Sequence, residues 1–225
     1  MPGRTLALGD IHGCARALDA LLDAIAPGAD DELVTLGDYV DRGPESRRAI
    51  DLLLDVAATC RLVPLLGNHD VMLLRMALGK GYMLKDWMAL GGAATLASFG
   101  VSSAQEIPRR YLDFLRSCRP AYESPTHLFL HANYLPDRPL NEQPDYVLRW
   151  ESLRHRTPGP HASGKIAILG HTAQRSGEPL DLGHLKCIDT CCYGGQWLTA
   201  LDVTGGAVLQ ANPEGRVRCY PFPGT

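Results

Sequence analysis

The chain has no apolar run approaching the roughly eighteen residues of a membrane span. It has no basic surplus either. Its 22 Lys and Arg against 25 Asp and Glu leave a net charge of −3, which argues against binding nucleic acid through its backbone. Residues Met1 to Leu8 lack the long apolar stretch and cleavage site of a signal peptide. There is no Cys-x-x-Cys pair. Cys14, Cys60, Cys118, Cys187, Cys191, Cys192 and Cys219 are odd in number and irregularly spaced, so reduced cytosolic thiols are expected and a structural zinc is not. No solenoid-period repeat and no long linker divides the 225 residues. These absences predict a single domain over 1–225, cytoplasmic, monomeric or weakly oligomeric, with neither nucleic acid nor membrane as partner. A hydrophobic content of 45% and a charged content of 21% are ordinary for such a globular chain.

What is present is more specific. Gly9-Asp10-Ile11-His12-Gly13, Gly37-Asp38-Tyr39-Val40-Asp41-Arg42-Gly43 and Gly67-Asn68-His69-Asp70 each follow an apolar run that reads as a buried strand. Those runs are Leu6–Leu8, Leu33–Leu36 and Leu62–Leu66. After each motif, apolar residues recur at helical spacing: Leu18, Leu21, Leu22 and Ile25; Ile50, Leu53, Leu54 and Ala57; Val71, Met72, Leu74 and Leu78. Pro44 suits a first helical turn. Strand and helix alternating in this way predict βαβ units and a largely parallel sheet, with ligands bound beyond the carboxyl ends of the strands.

Residues from about 80 to 123 predict a small helical insertion containing Tyr82, Trp87 and Leu96, either a cap at the mouth of the site or structural filling. His127–Leu130 and Lys165–Leu169 read as strands ending at His131 and Gly170-His171-Thr172. Residues 136–160 read as an extended loop. Leu185–Ile188, Trp197–Val203 and Ala207–Gln210 read as further strands, with a hairpin turn at 202–206. The expectation is a second, mostly antiparallel sheet packed on the first. Trp87, Trp150 and Trp197 are expected to serve packing, as are Cys191 and Cys192.

Two ions about 3.5–4 Å apart can hold phosphate oxygens and acidify a water, but they need a carboxylate that reaches both. Asp38 is the candidate bridge. Asp10 and His12 can turn toward one ion, and Asn68, His131 and His171 can complete the other. This mixed oxygen and nitrogen set suits manganese, iron or zinc better than calcium, with manganese expected first. A lone histidine beyond a strand is more often an ordinary core-edge residue. The inference rests on five segments in order, each after a strand.

Together, G-D-I-H-G, G-D-Y-V-D-R-G, G-N-H-D, His131-Ala132 and Gly170-His171-Thr172 resemble the calcineurin-like metallophosphoesterases. The second motif resembles the phosphoprotein phosphatase family of serine/threonine phosphatases. The resemblance runs from Leu6 to roughly Leu201. It implies a four-layer α/β/β/α sandwich, with Asp10, His12 and Asp38 on one metal and Asp38, Asn68, His131 and His171 on the other. It implies that His69 protonates the leaving alkoxide, that Asp41 orients it, and that Arg42 binds phosphate. A second phosphate-binding arginine falls between the last two histidines. Arg149 is the best-placed candidate, with Arg154 and Arg156 as competitors. The nucleophile would then be a hydroxide generated by the metal ions, attacking phosphorus in line.

Two features divide the substrate reading. Asp70 stands where protein phosphatases usually carry glutamate, and G-N-H-D resembles the symmetrical diadenosine tetraphosphate hydrolases. So does Ile188-Asp189-Thr190 through Gly194-Gly195, although a glycine is expected at Cys191. Against this, His131 and His171 lie only about forty positions apart, shorter than in those hydrolases. A serine/threonine protein phosphatase is therefore the first expectation, acting on a phosphorylated protein or a small phosphoester, and a diadenosine tetraphosphate hydrolase is the alternative. A binding module that had lost its chemistry would lack ligands, and none is missing. A nuclease of the superfamily usually lacks the D-R-G ending.

Overall fold

The computed structural model describes residues 3–80 and 84–222. The first third of the chain forms three strand-loop-helix units: β1 (Thr5–Leu8) and α1 (Ala15–Ile25), β2 (Glu32–Thr35) and α2 (Ser46–Val56), β3 (Arg61–Pro64) and α3 (Asn68–Ala77). The three strands pair in parallel, with Leu6 opposite Leu33 and Leu33 opposite Leu62. The helices α4 (Leu84–Trp87), α5 (Ala93–Phe99) and α6 (Arg109–Ser117) follow, α4 joining α5 through a kinked segment, Met88–Gly92. The rest of the chain is β4 (Ala121–Glu123), β5 (His127–Leu130), α7 (Asp145–Trp150), β6 (Ile166–Leu169), β7 (Leu180–Asp181), β8 (Leu185–Cys187), β9 (Leu198–Asp202), β10 (Ala207–Ala211) and β11 (Val217–Pro221).

Two sheets face each other. One is six-stranded, in the order β11-β10-β9-β1-β2-β3, and the other is five-stranded, in the order β4-β5-β6-β8-β7. Side chains alternate across a strand, so β1 sends Leu6 and Leu8 toward the helices and Ala7 into the space between the sheets. Val34, Leu36, Val63, Phe129, Ile168, Ile188, Leu201 and Val208 share that inner layer. With both faces covered, β1 and β2 read as largely apolar runs rather than as alternating ones, and the one buried hydroxyl, Thr35, is hydrogen-bonded to Tyr39. Beyond the second sheet, Leu128, Leu130, Ala167 and Leu169 pack against Tyr134, Leu148 and Leu153. The outer layer there is thin: α7 and its flanking loops.

Five expectations need correction. The late strands do not build an antiparallel second sheet. β9, β10 and β11 extend the first sheet antiparallel to β1, Ala7 facing Leu201, while β5, β6 and β8 form a parallel centre in the second. Hydrophobic periodicity marks a strand but carries no information on its partner. The predicted loop 136–160 contains α7, a six-residue helix too short for periodicity to reveal. In α2, Leu54 and Ala57 face solvent, and Ala49 and Val56 are buried in their place. That helix begins at Ser46, after Pro44 rather than on it. Leu78 likewise lies outside the core, past the end of α3.

The insertion is helical as expected, although Tyr82 lies outside the described residues. It packs on the helical side of the first sheet, where Trp87, Phe99, Ile107, Tyr111 and Leu115 join the α1–α3 core. Among the described residues no helix is long and apolar enough to cross a membrane.

Candidate active site

The loops leaving β1, β2, β3, β5 and β6 meet at one edge of the two sheets. Their backbones turn sharply there. Among the described residues seven non-glycine residues have positive φ, and five of them are His12, Asp38, Asp41, Arg42 and His171. Left-handed backbone costs energy in such residues and persists where surrounding structure over-determines it, characteristically at functional sites. Gly67 is required for a different reason: a Cβ there would strike the Asp38 backbone and carboxylate.

Asp38 lies at the centre. Its Oδ2 is 3.4 Å from Nε2 of His12, and its Oδ1 is 3.5 Å from Nε2 of His131. His12, Asp38 and His69 form one cluster with metal-ligand spacing, and Asp38, His131 and His171 form a second that shares the same carboxylate. His12 makes a 2.9 Å hydrogen bond from Nδ1 to the Val40 carbonyl, and His131 a 2.8 Å bond from Nδ1 to that of Leu36. A carbonyl only accepts, so each Nδ1 carries the proton and each Nε2 offers a lone pair. Nε2 of His12 is buried and has no hydrogen-bond partner. Oδ1 of Asn68 lies 3.0 Å from His131 Nε2 and 3.0 Å from His171 Nδ1. Several acceptors therefore face one another across a buried space, an arrangement that a cation reconciles.

The charge states suit a cation as well. Burial lowers the basicity of His12 and His131, and burial together with His131 brings His171 to about 4. Burial alone would favour protonating Asp38, but the imidazoles of His131, His69, His12 and His171 hold its pKa below the usual carboxylate range. Metal ligands must be deprotonated, and these shifts run in that direction. Asp10 stands slightly apart. Its two oxygens accept the His171 N–H at 3.1 and 3.0 Å, and burial with the nearby Asp189 and Asp38 carboxylates raises its proton affinity.

His69 belongs to the first cluster by distance, but both its nitrogens are engaged. Nδ1 is 2.8 Å from Oδ2 of Asp41, and Nε2 is 3.0 Å from Nη2 of Arg42. Burial opposes charging of this imidazole, yet Asp38 and Asp41 outweigh it and raise its basicity. The Arg42 guanidinium also lies 4.2 Å from the centre of the Tyr193 ring, whose edge meets His12.

The three candidate arginines between the histidines are separated by their partners. Arg154 donates to the Ala173 carbonyl, and Arg156 to Glu151 and the Tyr134 carbonyl. Arg149, on α7, is paired with Asp145 but keeps a buried, unpartnered Nε, and its charge bears on His131.

Several contacts around the site were not foreseen from the sequence. Asp70 is fully buried and accepts the N–H groups of Asp38 (2.8 Å), Tyr39 (3.0 Å) and Gly67 (3.0 Å), joining the second and third motifs. Burial and the Asp38 charge push its pKa up to about 8, against the pull of those donors. Trp87 and Thr95 reach Asp41 from the insertion. A tryptophan read only as packing still carries one donor that needs a partner when buried, and that was the available clue. Cys191 and Cys192 are buried and unpaired, as are the other cysteines apart from half-buried Cys118 and exposed Cys219.

Two facing sheets with histidine, aspartate and asparagine gathered at their shared edge define a metallophosphoesterase. Residues 3–175 match the calcineurin-like phosphoesterase family, and the chain belongs to it. The symmetrical bis(5'-nucleosyl)-tetraphosphatase of Janthinobacterium sp. (strain Marseille) is 35% identical over 140 residues, which cover 59% of this chain and 44% of that protein. The chain thus spans less than half the length of that curated relative. A solved structure provisionally assigned as a diadenosine tetraphosphatase superposes with a TM-score of 0.67 at 24% identity, covering 100% of this chain and 96% of the other. A serine/threonine phosphatase from Saccharomyces cerevisiae gives 0.64 at 16% identity, covering 100% and 81%. At these identities the likeness of the structures is one of fold.

Proposed function

We propose that the chain hydrolyses phosphoesters by in-line displacement at phosphorus, with Asp38 shared between two divalent ions, manganese first among the candidates. The observation that carries this reading is the placement of one carboxylate within 3.4 Å of His12 Nε2 and 3.5 Å of His131 Nε2. Asp10 and His12 would complete one ion's ligands, and Asn68, His131 and His171 would complete the other's. Ions bound there would neutralise phosphate oxygens and acidify a water. The protein's own residues do the rest. Arg42 takes the phosphate in a bidentate contact, and Arg149 adds charge from α7. His69, held at Nδ1 by Asp41, gives a proton from Nε2 to the leaving oxygen. No side-chain nucleophile is needed, so no phosphoenzyme forms.

For the substrate, we place a dinucleoside polyphosphate of the diadenosine tetraphosphate type first. The 35% identical relative and Asp70 in the third motif support it. A cleft of about 380 Å³ lined by Arg175, Tyr193 and Gln196 adjoins Arg42 through the Tyr193 ring and offers room for a leaving nucleotide. The second reading, a serine/threonine protein phosphatase, is supported by the short interval between His131 and His171 and by the D-R-G ending. Seven unpaired thiols suit a reducing compartment such as the cytoplasm.

The test is turnover of manganese-loaded protein on diadenosine tetraphosphate and on a phosphoserine/phosphothreonine peptide, with product analysis. Two diphosphates from the dinucleotide are expected. Phosphate released from the peptide, with the dinucleotide untouched, would reverse the order of the two readings.

A further inference from the structure

We propose that Trp87 and Thr95 are positioning residues that act through Asp41 to hold His69 in line with the leaving group. The proposal rests on the reading of His69 as the proton donor.

Asp41 is completely buried, and each acceptor position of its carboxylate is assigned. The Trp87 indole Nε1–H lies across both oxygens, 3.1 Å from Oδ1 and 3.0 Å from Oδ2. The Thr95 hydroxyl donates to Oδ1 at 2.6 Å and accepts the N–H of Asp41 itself at 2.9 Å. Thr95 therefore grips Asp41 at backbone and side chain together. Ser46 Oγ, 3.4 Å away, is the hydroxyl's other neighbour. What remains on Oδ2 faces His69 Nδ1 at 2.8 Å. An indole N–H can only donate, so Trp87 leaves the carboxylate in one orientation, and that orientation fixes the imidazole plane and tautomer.

The connecting residues fit the same purpose. The Gly91 carbonyl accepts the N–H of Arg42 at 3.4 Å, and a Cβ on Gly91 (φ 111°) would strike the Arg42 backbone. A Cβ on Gly92 would strike the Trp87 ring. The run Trp87…Gly91-Gly92…Thr95 thus touches the Asp41–Arg42 turn at three of its positions and braces Trp87 with the fourth. The insertion supports the acid from behind rather than filling space. A plain core role would make the same hydrogen bonds merely to satisfy buried donors. The two roles differ in what they do to the chemistry.

The experiment measures kcat and KM of manganese-loaded wild type, Trp87→Phe, Thr95→Val, Thr95→Ser and His69→Asn on an alkyl phosphate and on 4-nitrophenyl phosphate, whose phenolate leaves without a proton. Acid catalysis supplies about 10²–10⁴-fold, so T95V and W87F are expected to lose about 10- to 100-fold in kcat on the alkyl ester and less than about 3-fold on the aryl ester. T95S should restore the alkyl rate, and KM should move little. Equal losses on both esters, or none on either, would overturn the proposal. Should W87F fail to fold, the T95V and T95S pair decides alone. H69N separates the two layers of the argument. If it discriminates between the esters and T95V does not, only the positioning role falls. If H69N does not discriminate, the acid assignment falls and takes the positioning role with it.

Discussion

Nη2 of Arg42 lies 3.0 Å from Nε2 of His69, so the cation that would hold phosphate rests on the nitrogen that would protonate the leaving group. A guanidinium only donates, hence Nε2 accepts in this arrangement. A protonated imidazole and Arg42 cannot keep this contact. On the proposed reading, phosphate oxygens, carrying negative charge, would compete for the guanidinium and free Nε2. The contact seen here and the one that reading requires exclude each other, so substrate would decide between them.

Arg42→Ala is therefore expected to lower kcat/KM by about 10²–10³, the usual cost of removing a group that stabilises developing charge. Thermal stability should change little, because the side chain is half-buried and its guanidinium contacts are with His69 and the Tyr193 ring rather than with the apolar core. Steady-state kinetics with a melting curve checks both. A variant within a few-fold of wild type would remove Arg42 from the phosphate site.

Asp38→Asn should uncouple both metal positions at once. At a free manganese concentration 100 times the dissociation constant, binding to the folded state alone adds about 2.7 kcal/mol of stability. Wild type should show that gain as a rise in Tm, lost on chelation together with turnover and regained with manganese. D38N should show neither the rise nor the activity. A full Tm rise in D38N would show that the ions do not depend on the shared carboxylate.

Acid stability should depend on Asp31, far from the chemistry. Arg4 donates to it from Nη2 at 2.6 Å and from its backbone at 2.7 Å, fastening the start of β1. The Arg4 hydrogen bond, together with the Gly28 and Arg4 backbone N–H groups, holds this carboxyl well below the usual carboxylate range. Its folded-state pKa is thus below its unfolded value of about 3.9. The stabilisation is complete above that value and is lost as pH falls through the folded one. Asp31→Asn should flatten the acid limb of a plot of unfolding free energy against pH between about pH 4 and pH 2, while lowering stability at neutral pH. An unchanged acid limb in D31N would place the effect elsewhere.

Much of this molecule is legible without coordinates. The three apolar runs become the parallel β1–β2–β3 core, and each motif lies at a strand end. His12, Asp38, Asn68, His131 and His171 converge, with Asp10 slightly apart, because strand ends in a parallel sheet share one edge, so order along the chain implies neighbourhood in space. His69 and Asp41 pair as expected, and Arg149 is the arginine left with an unpartnered nitrogen. The order of substrates, by contrast, was not legible, because the motifs serve the phosphate and not the group attached to it.

The amino-acid order by itself determined the α/β alternation and the calcineurin-like phosphoesterase family, and with it a candidate ligand set, because these depend on residue type and on spacing along one strand-loop-helix unit. Only the tertiary structure decided which sheet β9 to β11 join, how Asp70 ties two motifs by their backbones, and that Trp87 and Thr95 close on Asp41. Those are contacts between segments tens of residues apart, or bonds to main-chain groups that every residue carries. Neither leaves a periodicity in the sequence, so folding alone brings them into view.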